Sequence, residues 1–352
     1  MIDRAGGVAS GPTFPETVTP AGRLAALTDL ATPFAVRTLA ALRVPDLIED
    51  GVCGLTALAA RTGTDAGALG RLLRYLAHRG LLTEPAGDTF ALTEVGRLLL
   101  DDHPDGHRGY LDADGPAFRM DLAYAGLPHA VRTGGEAYSA VHGRTFWADL
   151  AADPVRRRWF DALMAAQQER TAPQVARLHQ WERAGHVVDV GGGSGALLAA
   201  LLHAHPGLRG TVVDRAGAVA AAAERFAREG LSDRADVHAG DFFEPLPPGA
   251  GAYVVSRALT DWGDREATAI LRRCREAAGG RGRVIVVEVL PTDPHVPHRS
   301  PFDLQMLAVV GGRERTLADF AALAGAAGLT VAGTRHGTGG LVVIECAAPG
   351  EM

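Results

Sequence analysis

Lysine is absent from this sequence of 352 residues, whose 35 basic residues are all arginine. We attribute this absence to genomic composition rather than to function. The net charge is −6 and the pI is near 6.1. A chain with this charge does not present the basic surface that coats nucleic acid.

Cysteine is scarce, and long apolar runs are missing. Cys53, Cys274 and Cys346 are widely spaced and form no C-x-x-C pair. This pattern supports neither a disulfide framework nor a cysteine zinc site, and it fits a reducing cytoplasm. No run of 18 apolar residues occurs, and no basic segment leads into a short apolar one near the N-terminus. We therefore predict neither a membrane span nor a signal peptide. The hydrophobic content of 47% allows sizeable cores.

The most informative stretch is residues 186–202, HVVDVGGGSGALLAALL. It predicts a buried strand, a tight glycine turn and the start of a helix. Glycines let the backbone approach a ligand closely, and the free N–H groups of a helix start favour negative charge. Gly191, Gly193 and Ala196 satisfy a dinucleotide fingerprint, and Asp214 ends the next strand, so NAD stays open at this point.

From residue 186 onward, strand patterns alternate with helix patterns. The strands are predicted at 187–190, 210–214, 236–239, 252–256, 283–288, 330–335 and 341–346. Such alternation is typical of an α/β protein with a doubly wound parallel sheet. The last two strands are joined across residues 337–340, GTGG, which predicts a hairpin at the edge of the sheet.

Four motifs follow four successive predicted strands. They are VVDVGGGSG at 187–195, VVDR at 212–215, AGDFF at 239–243 and SRALTDW at 256–262. Together they resemble the S-adenosylmethionine-dependent O-methyltransferases that act on plant phenolics and on bacterial aromatic polyketides such as naphthoates and anthracyclines. The resemblance implies a class I methyltransferase fold, Rossmann-like, with an N-terminal helical, winged-helix dimerisation domain. It also implies methyl transfer to an aromatic hydroxyl in bacterial natural-product biosynthesis.

On this basis we divide the chain into a flexible leader (1–20), a winged-helix dimerisation domain (21–108), a helical connector that contributes to the acceptor pocket (109–180) and a cofactor-binding domain (181–352). Apolar residues recur at helical spacing across 24–42, which suits an interface in a homodimer. Residues 56–63 and 66–80 predict a helix-turn-helix, and 81–83 with 89–92 predict its wing.

Winged helices often bind DNA, so DNA binding is an alternative function for this domain. The second helix offers Arg71, Arg74 and Arg79. Acidic residues surround these arginines, namely Asp46, Glu49, Asp50, Asp65, Glu84, Asp88 and Glu94. A face of this kind is poorly suited to phosphate binding, and the resemblance implies dimerisation instead.

The resemblance implies a cofactor site at the ends of the first four strands. Gly191, Gly193 and Gly195 would line the amino-acid moiety of S-adenosylmethionine, and Asp214 would bind the ribose hydroxyls. Asp241 and Phe242 would bracket the adenine, Trp262 would close the far side, and Ser256 and Arg257 would contact the cofactor partly through the backbone.

An acceptor pocket is predicted from the helical segment before the sheet. Phe160, Met164, Gln167 and Gln168 share one helix face, which is compatible with core packing. The resemblance implies instead that the aromatic residue and the methionine clamp a flat ring, and Pro173 is expected to limit this helix. Further acceptor-binding candidates are His142, Phe146, Trp147, Asp303 and Met306.

The catalytic position departs from the family. Its relatives carry His-Asp-Trp after the fourth strand, where this chain has Thr260-Asp261-Trp262. A threonine hydroxyl cannot hold a transferred proton at neutral pH, so Thr260 can only position the acceptor. The acids that flank the histidine in the family remain as Glu288 and Glu314, and either could accept the proton. His129 and His142 are weaker substitutes.

The missing imidazole keeps other reactions open. C- or N-methylation of an aromatic is one alternative. A fold that keeps the cofactor without transferring its methyl, as a hydroxylase, decarboxylase or pericyclase, is the other.

Overall fold

The computed structural model describes residues 19–290 and 300–350. The chain divides between Phe118 and Arg119 into two compact units. The predicted leader, residues 1–20, lies almost entirely outside the described residues. None of the described helices is long and apolar enough to cross a membrane.

The first unit is helical with one small antiparallel sheet. Its elements are α1 (Pro20–Leu27), α2 (Ala31–Ala41), α3 (Val44–Glu49), α4 (Leu55–Thr62), α5 (Ala66–His78), β1 (Leu82–Ala86), β2 (Thr89–Leu92), α6 (Glu94–Arg97) and α7 (His107–Leu111). The predicted helix-turn-helix is α4 and α5, and the wing is β1 paired with β2, Leu82 opposite Leu92. Leu58, Leu73 and Leu76 are buried in the core of this unit.

The helical stretch predicted across 24–42 is two helices. The carboxylate of Asp29 accepts the backbone N–H of Thr32 at 3.1 Å. This side chain caps the start of α2, because it satisfies an N–H that has no partner inside the helix. Arg74 of α5 pairs with Glu84 and Asp88, and Arg79, which follows α5, pairs with Asp29.

The second unit consists of helices around a seven-stranded sheet. Its helices are α8 (Phe118–Leu122, which begins at the division), α9 (Leu127–Thr133), α10 (Tyr138–His142), α11 (Phe146–Ala152), α12 (Pro154–Leu178), α13 (Ala196–Ala204), α14 (Ala216–Arg228), α15 (Asp264–Ala278), α16 (Pro301–Val310) and α17 (Leu317–Ala326). Its strands are β3 (His186–Val190), β4 (Arg209–Asp214), β5 (Ala235–Ala239), β6 (Ala252–Ser256), β7 (Arg283–Val289), β8 (Thr330–His336) and β9 (Leu341–Ala347).

The strand order is β5-β4-β3-β6-β7-β9-β8. The first five strands are parallel, and β9 pairs antiparallel with both β7 and β8. Every predicted strand is present with bounds within one residue, and the predicted edge hairpin is β8 with β9. The chain leaves β3 toward β4 on one side and later returns to β6 on the other. Ligands of open parallel sheets bind at such a switch point, beyond the carboxyl ends of the strands.

Pro173 does not end its helix, contrary to the prediction. Helix α12 continues through it to Leu178. The last turns pack against the sheet core, since Ala172, Val175 and Ala176 are buried, and the indole N–H of Trp181 donates to the carbonyl of Val175 at 3.0 Å. This packing outweighs the hydrogen bond that a proline removes from a helix.

Candidate cofactor and acceptor site

A cavity of about 380 Å³ lies at the switch point of the second unit. Its walls come from α12, from the glycine turn after β3, and from the segments that follow β4, β5 and β6. The volume falls within the range of small-molecule pockets. No group of three or more His, Cys, Asp or Glu side chains within the described ranges could hold a metal ion.

The glycine turn forms one wall. Gly191 and Gly193 have φ angles of +74° and +58°, a left-handed conformation that side chains disfavour. The Gly191 N–H donates to the carbonyl of Val213 at 2.8 Å, which ties the turn to β4. Nothing lies within 4 Å of a Cβ built on Gly193, so a ligand can approach its backbone.

Asp214, at the end of β4, reaches the same wall. Its Oδ2 accepts the Gly193 N–H at 2.9 Å and its Oδ1 accepts the Arg215 N–H at 2.7 Å. An ionised carboxylate can accept about four hydrogen bonds. Each oxygen therefore retains capacity for a hydroxyl group, as the predicted contact with the ribose requires.

The far end of the cavity is aromatic. Phe242 and Trp262 line it, with ring centroids 6.0 Å apart and planes at 84°. Ser256 and Arg257 line it too, so the predicted cofactor residues after β6 are brought together with the glycine turn. Asp241 is exposed, lies beside this end and is not in the lining; its Oδ1 accepts the Phe243 N–H at 2.9 Å. Its contact with adenine stays a prediction.

Gly195 is a predicted cofactor residue that faces the core. A Cβ on Gly195 would lie 2.7 Å from the ring of Phe226 and 3.2 Å from Ala222. Both residues belong to α14. In this structure the glycine lets α13 and α14 pack closely, and it is not in the cavity lining.

The acceptor side is provided by α11 and α12. Phe160, Met164 and Gln168 line the cavity as predicted, together with Gln167. Trp147, also predicted, stacks on Trp262 with 6.1 Å between centroids and 16° between planes. These flat and polarizable side chains suit an aromatic ligand.

Other predicted acceptor residues lie outside the lining. Phe146 is 5% exposed and packs in a core with Tyr138 and Phe160. The Nε2 atom of His142 is 2.9 Å from the carbonyl oxygen of Arg119, and its ring packs on Tyr138. These contacts give Phe146 and His142 structural roles in the described chain.

Asp303, Met306 and Glu314 are grouped elsewhere. Asp303 accepts the backbone N–H of Glu314 at 2.7 Å, and Glu314 accepts the hydroxyl of Ser300 at 2.8 Å. Met306 is 6% exposed. None of the three lines the cavity, so their assignment to the acceptor pocket and to proton transfer is not supported by this geometry.

Thr260 and Glu288 form a buried pair behind the cavity. The Thr260 hydroxyl donates to Oε2 of Glu288 at 3.0 Å, and Nε of Arg257 is 3.8 Å from the same oxygen. Glu288 is 1% exposed, and its Oε1 has no hydrogen-bond partner among the described residues. Burial raises the pKa of Glu288, while Arg257 lowers it. Neither Thr260 nor Glu288 lines the cavity.

Several charged residues of the lining were not predicted from the sequence, namely Arg157, Asp161, Arg170, Arg215 and Asp261. Arg157 and Asp161 stand on the predicted face of α12, and Arg215 follows Asp214, so extending each motif by one helical turn or one residue would have found them. Asp261 is directly next to Thr260. Burial first, and the nearby Glu288 second, raise the pKa of Asp261 to about 7.

The chain can now be assigned to a class. Residues 124–330, more than half of the chain, match the O-methyltransferase domain family, and residues 25–102 match the O-methyltransferase dimerisation domain. The chain belongs to the O-methyltransferase family. The predicted class I fold and S-adenosylmethionine-dependent methyltransferase activity are confirmed, and the NAD alternative falls.

Two relatives and one solved structure show which members of the family this chain is similar to. The chain is 49% identical to 2,7-dihydroxy-5-methyl-1-naphthoate 7-O-methyltransferase of Streptomyces carzinostaticus, over 88% of this chain and 92% of the relative. It is 42% identical to aclacinomycin 10-hydroxylase of Streptomyces purpurascens, over 88% and 84%. A solved O-methyltransferase from neocarzinostatin biosynthesis, in complex with S-adenosylmethionine and 2-hydroxy-5-methyl naphthoic acid, aligns with a TM-score of 0.85 and 46% identity, covering 92% of this chain and 98% of that one.

Proposed function

We propose that this enzyme transfers a methyl group from S-adenosylmethionine to a hydroxyl group of a fused-ring aromatic acceptor in bacterial natural-product biosynthesis. The observation that carries the proposal is that Trp147, Phe160 and Met164 line the same cavity as Asp214, at the end of β4. A flat acceptor and the cofactor would share this space. The relative that acts on a naphthoate supports an acceptor of this size.

The residues present fit the cofactor. The open backbone at Gly193 and the remaining lone pairs of Asp214 suit the amino-acid and ribose parts, and Phe242 offers a face for a base. When bound, S-adenosylmethionine supplies an electrophilic methyl group. The protein's contribution is to hold the acceptor oxygen in line with that methyl and to exclude water from the cavity.

Transfer does not require the family's histidine. General-base assistance contributes about 10²–10⁴-fold, whereas correct positioning supplies effective molarities of about 10⁵–10⁸ M. An aromatic slot that orients the acceptor can therefore sustain the reaction. We place Thr260 in a supporting role through its hydrogen bond to Glu288.

Two alternatives are favoured by specific relatives. The 42% identical relative is a hydroxylase, and a relative 35% identical over 327 residues is 8-amino-8-demethylriboflavin N,N-dimethyltransferase. The first would leave the acceptor without a new methyl group. The second would place the methyl on nitrogen.

Mass analysis of the products separates these reactions. We expect incubation with methyl-labelled S-adenosylmethionine and hydroxylated naphthoates or anthraquinones to give a product heavier by one labelled methyl, with stoichiometric S-adenosylhomocysteine. Reactions without acceptor provide the background. A product that gains oxygen, with the cofactor recovered unconsumed, would support the hydroxylase alternative, and a labelled N-methyl would support the other.

We also propose a homodimer formed through the first unit. Leu24, Leu27, Leu30 and Phe34 of the α1–α2 region are between 46% and 72% exposed, and this segment lies in the family's dimerisation domain. Exposed apolar patches of this kind mark protein interfaces. A second copy of the chain is the partner that the family match supports.

Light scattering tests the dimer. We expect the intact chain to have about twice its mass of 36.7 kDa, and Leu27→Asp with Leu30→Asp to shift it toward the monomer, because charges oppose burial of this face. Val131→Asp, at a residue 74% exposed in the second unit, is the matched control and should remain dimeric. A monomeric intact chain would contradict the proposal.

The cytoplasm is the compartment that we propose. Cys53, Cys274 and Cys346 are free, and the last two are buried. Free thiols persist in a reducing compartment.

A further inference from the structure

Among the described residues, three aspartates belong to the cavity lining, and one of them differs from the other two in its hydrogen bonds. Asp161 accepts from Arg157 through both oxygens at 2.8 Å, and Asp214 holds two backbone N–H groups. The Asp261 carboxylate accepts no hydrogen bond from any residue in the described ranges. Asp214 can still accept the ribose hydroxyls, so Asp261 is the lining carboxylate that is left for the acceptor.

The backbone around Asp261 is firmly held. The Arg313 N–H donates to the carbonyl of Thr260 at 3.0 Å, and the guanidinium of Arg315 donates to the carbonyl of Leu259 at 2.7 Å. Arg315 is 1% exposed. The backbone that carries Asp261 is therefore held in place before the substrate binds, which limits where its side chain can lie.

The charges that face Asp261 come from two neighbouring strands. Glu288 lies on β7, and Arg257 follows β6. Glu288 opposes ionisation of Asp261, and Arg257 favours it. Together with burial, the net effect keeps the proton affinity of Asp261 close to that of an imidazole.

The other proton acceptors considered from the sequence do not reach this space. Glu288 is enclosed behind Thr260, Glu314 is bonded to Ser300, and His142 packs on Tyr138. Of the candidates in the described chain, Asp261 alone combines a free carboxylate with a place in the lining.

We propose that Asp261 is the general base of this enzyme, accepting the proton of the acceptor hydroxyl in place of the imidazole that the family carries one residue earlier. The inference rests on the proposed O-methyl transfer. The O–H bond of the acceptor breaks and its proton goes to the Asp261 carboxylate. An O–C bond forms to the methyl carbon as its bond to sulfur breaks, with that electron pair remaining on sulfur. Solvent later takes the proton from Asp261.

Glu288 acts through Asp261 as a positioning residue. When Glu288 is ionised, with Thr260 and Arg257 beside its carboxylate, its charge raises the affinity of Asp261 for a proton. Removing that charge should therefore make Asp261 a weaker base and leave the cavity lining intact.

The first test compares Asp261→Asn with wild type on a weakly acidic phenolic acceptor. We expect kcat/KM to fall about 10²–10⁴-fold, and to fall much less for a phenol acidic enough to be ionised already. Affinity for S-adenosylhomocysteine, measured by calorimetry, should stay near the wild-type value, which excludes misfolding. Glu276→Gln, at an exposed position on α15, is the control and should keep full activity. Equal activity of Asp261→Asn and wild type would overturn the inference.

The pH profile is the second readout. Asp261 must be ionised to accept a proton, so wild-type kcat/KM should fall as pH drops below about 7. Asp261→Asn should lack this acid limb, and Glu288→Gln should shift it to lower pH. An acid limb that persists unchanged in Asp261→Asn would assign it to another group and refute the proposal.

A binding measurement tests the inference independently of turnover. With S-adenosylhomocysteine present, 2-naphthol should bind wild type more tightly as pH rises from 5.5 to 8, about tenfold, because the ionised Asp261 accepts its O–H. Asp261→Asn should bind it equally at all these pH values. If wild type transfers no methyl but shows this pH-dependent binding, the proposed function fails while the contact with Asp261 stands. Identical profiles for both proteins would refute the contact.

Discussion

Asp214→Ala is expected to weaken binding of S-adenosylhomocysteine by about 10–100-fold, because hydrogen bonds to a charged group contribute about 1.5–3 kcal/mol each. Two effects combine. The ribose hydroxyls lose their acceptor, and the Gly193 N–H loses the carboxylate oxygen that now holds it at 2.9 Å. Isothermal titration calorimetry measures the affinity directly.

The matched control is Asp233→Ala. Asp233 is an exposed acid just before β5, away from the cavity lining. We expect it to bind S-adenosylhomocysteine as wild type does, with an equal unfolding midpoint. Unchanged affinity in Asp214→Ala would show that the ribose lies elsewhere.

Asp189→Asn is expected to stabilise the protein at pH 8 and to do so much less at pH 5. Asp189 is fully buried in β3 beneath the glycine turn, and neither of its carboxyl oxygens has a hydrogen-bond partner among the described residues. Burial first, and the charge of Asp214 second, raise the pKa of Asp189 from 3.8 to about 7. A shift of that size corresponds to a cost of ionisation on the order of 4 kcal/mol.

The direction in which stability changes with pH follows from the protons bound by Asp189 in the folded and unfolded states. Between pH 4 and pH 7 the unfolded state has lost this proton while the folded state retains it, so the free energy of unfolding decreases as pH rises through this window. Above about pH 7 the folded protein carries a buried, unpartnered carboxylate. The asparagine variant carries no such charge and should lose less stability between pH 5 and pH 8.

Urea unfolding at both pH values, followed by the fluorescence of buried Trp181, measures the difference. Asp233→Asn should show the wild-type dependence on pH, since its carboxylate is exposed. A variant Asp189→Asn that is less stable than wild type at pH 8 would indicate that the native carboxylate is ionised and held by a partner.

Local sequence patterns were sufficient to predict secondary structure wherever an element buries one face. All seven strands of the large sheet were predicted within one residue, because five of them are short apolar or alternating runs bounded by glycine and acids and the last two flank a turn. The prediction that Pro173 limits its helix was wrong, because the end of that helix is set by tertiary packing and not by a local pattern. Helix α12 continues past Pro173 because Ala172, Val175 and Ala176 are buried against a sheet whose strands come later in the sequence.

The sequence by itself determined the class of protein, the strands whose ends line the cavity and the loss of the family's histidine, since these follow from motifs of neighbouring residues. Only the tertiary structure decided which of the acids near the position of the family's histidine belongs to the cavity lining. Thr260 and Asp261 are adjacent in the chain, yet Thr260 is bonded to Glu288 and lies outside the lining, whereas Asp261 belongs to the lining. Glu314 likewise shares the expected chemistry but is bonded to Ser300. The direction of a side chain on an irregular turn is set by packing from distant segments, here by Arg313 and Arg315, and no local pattern encodes it.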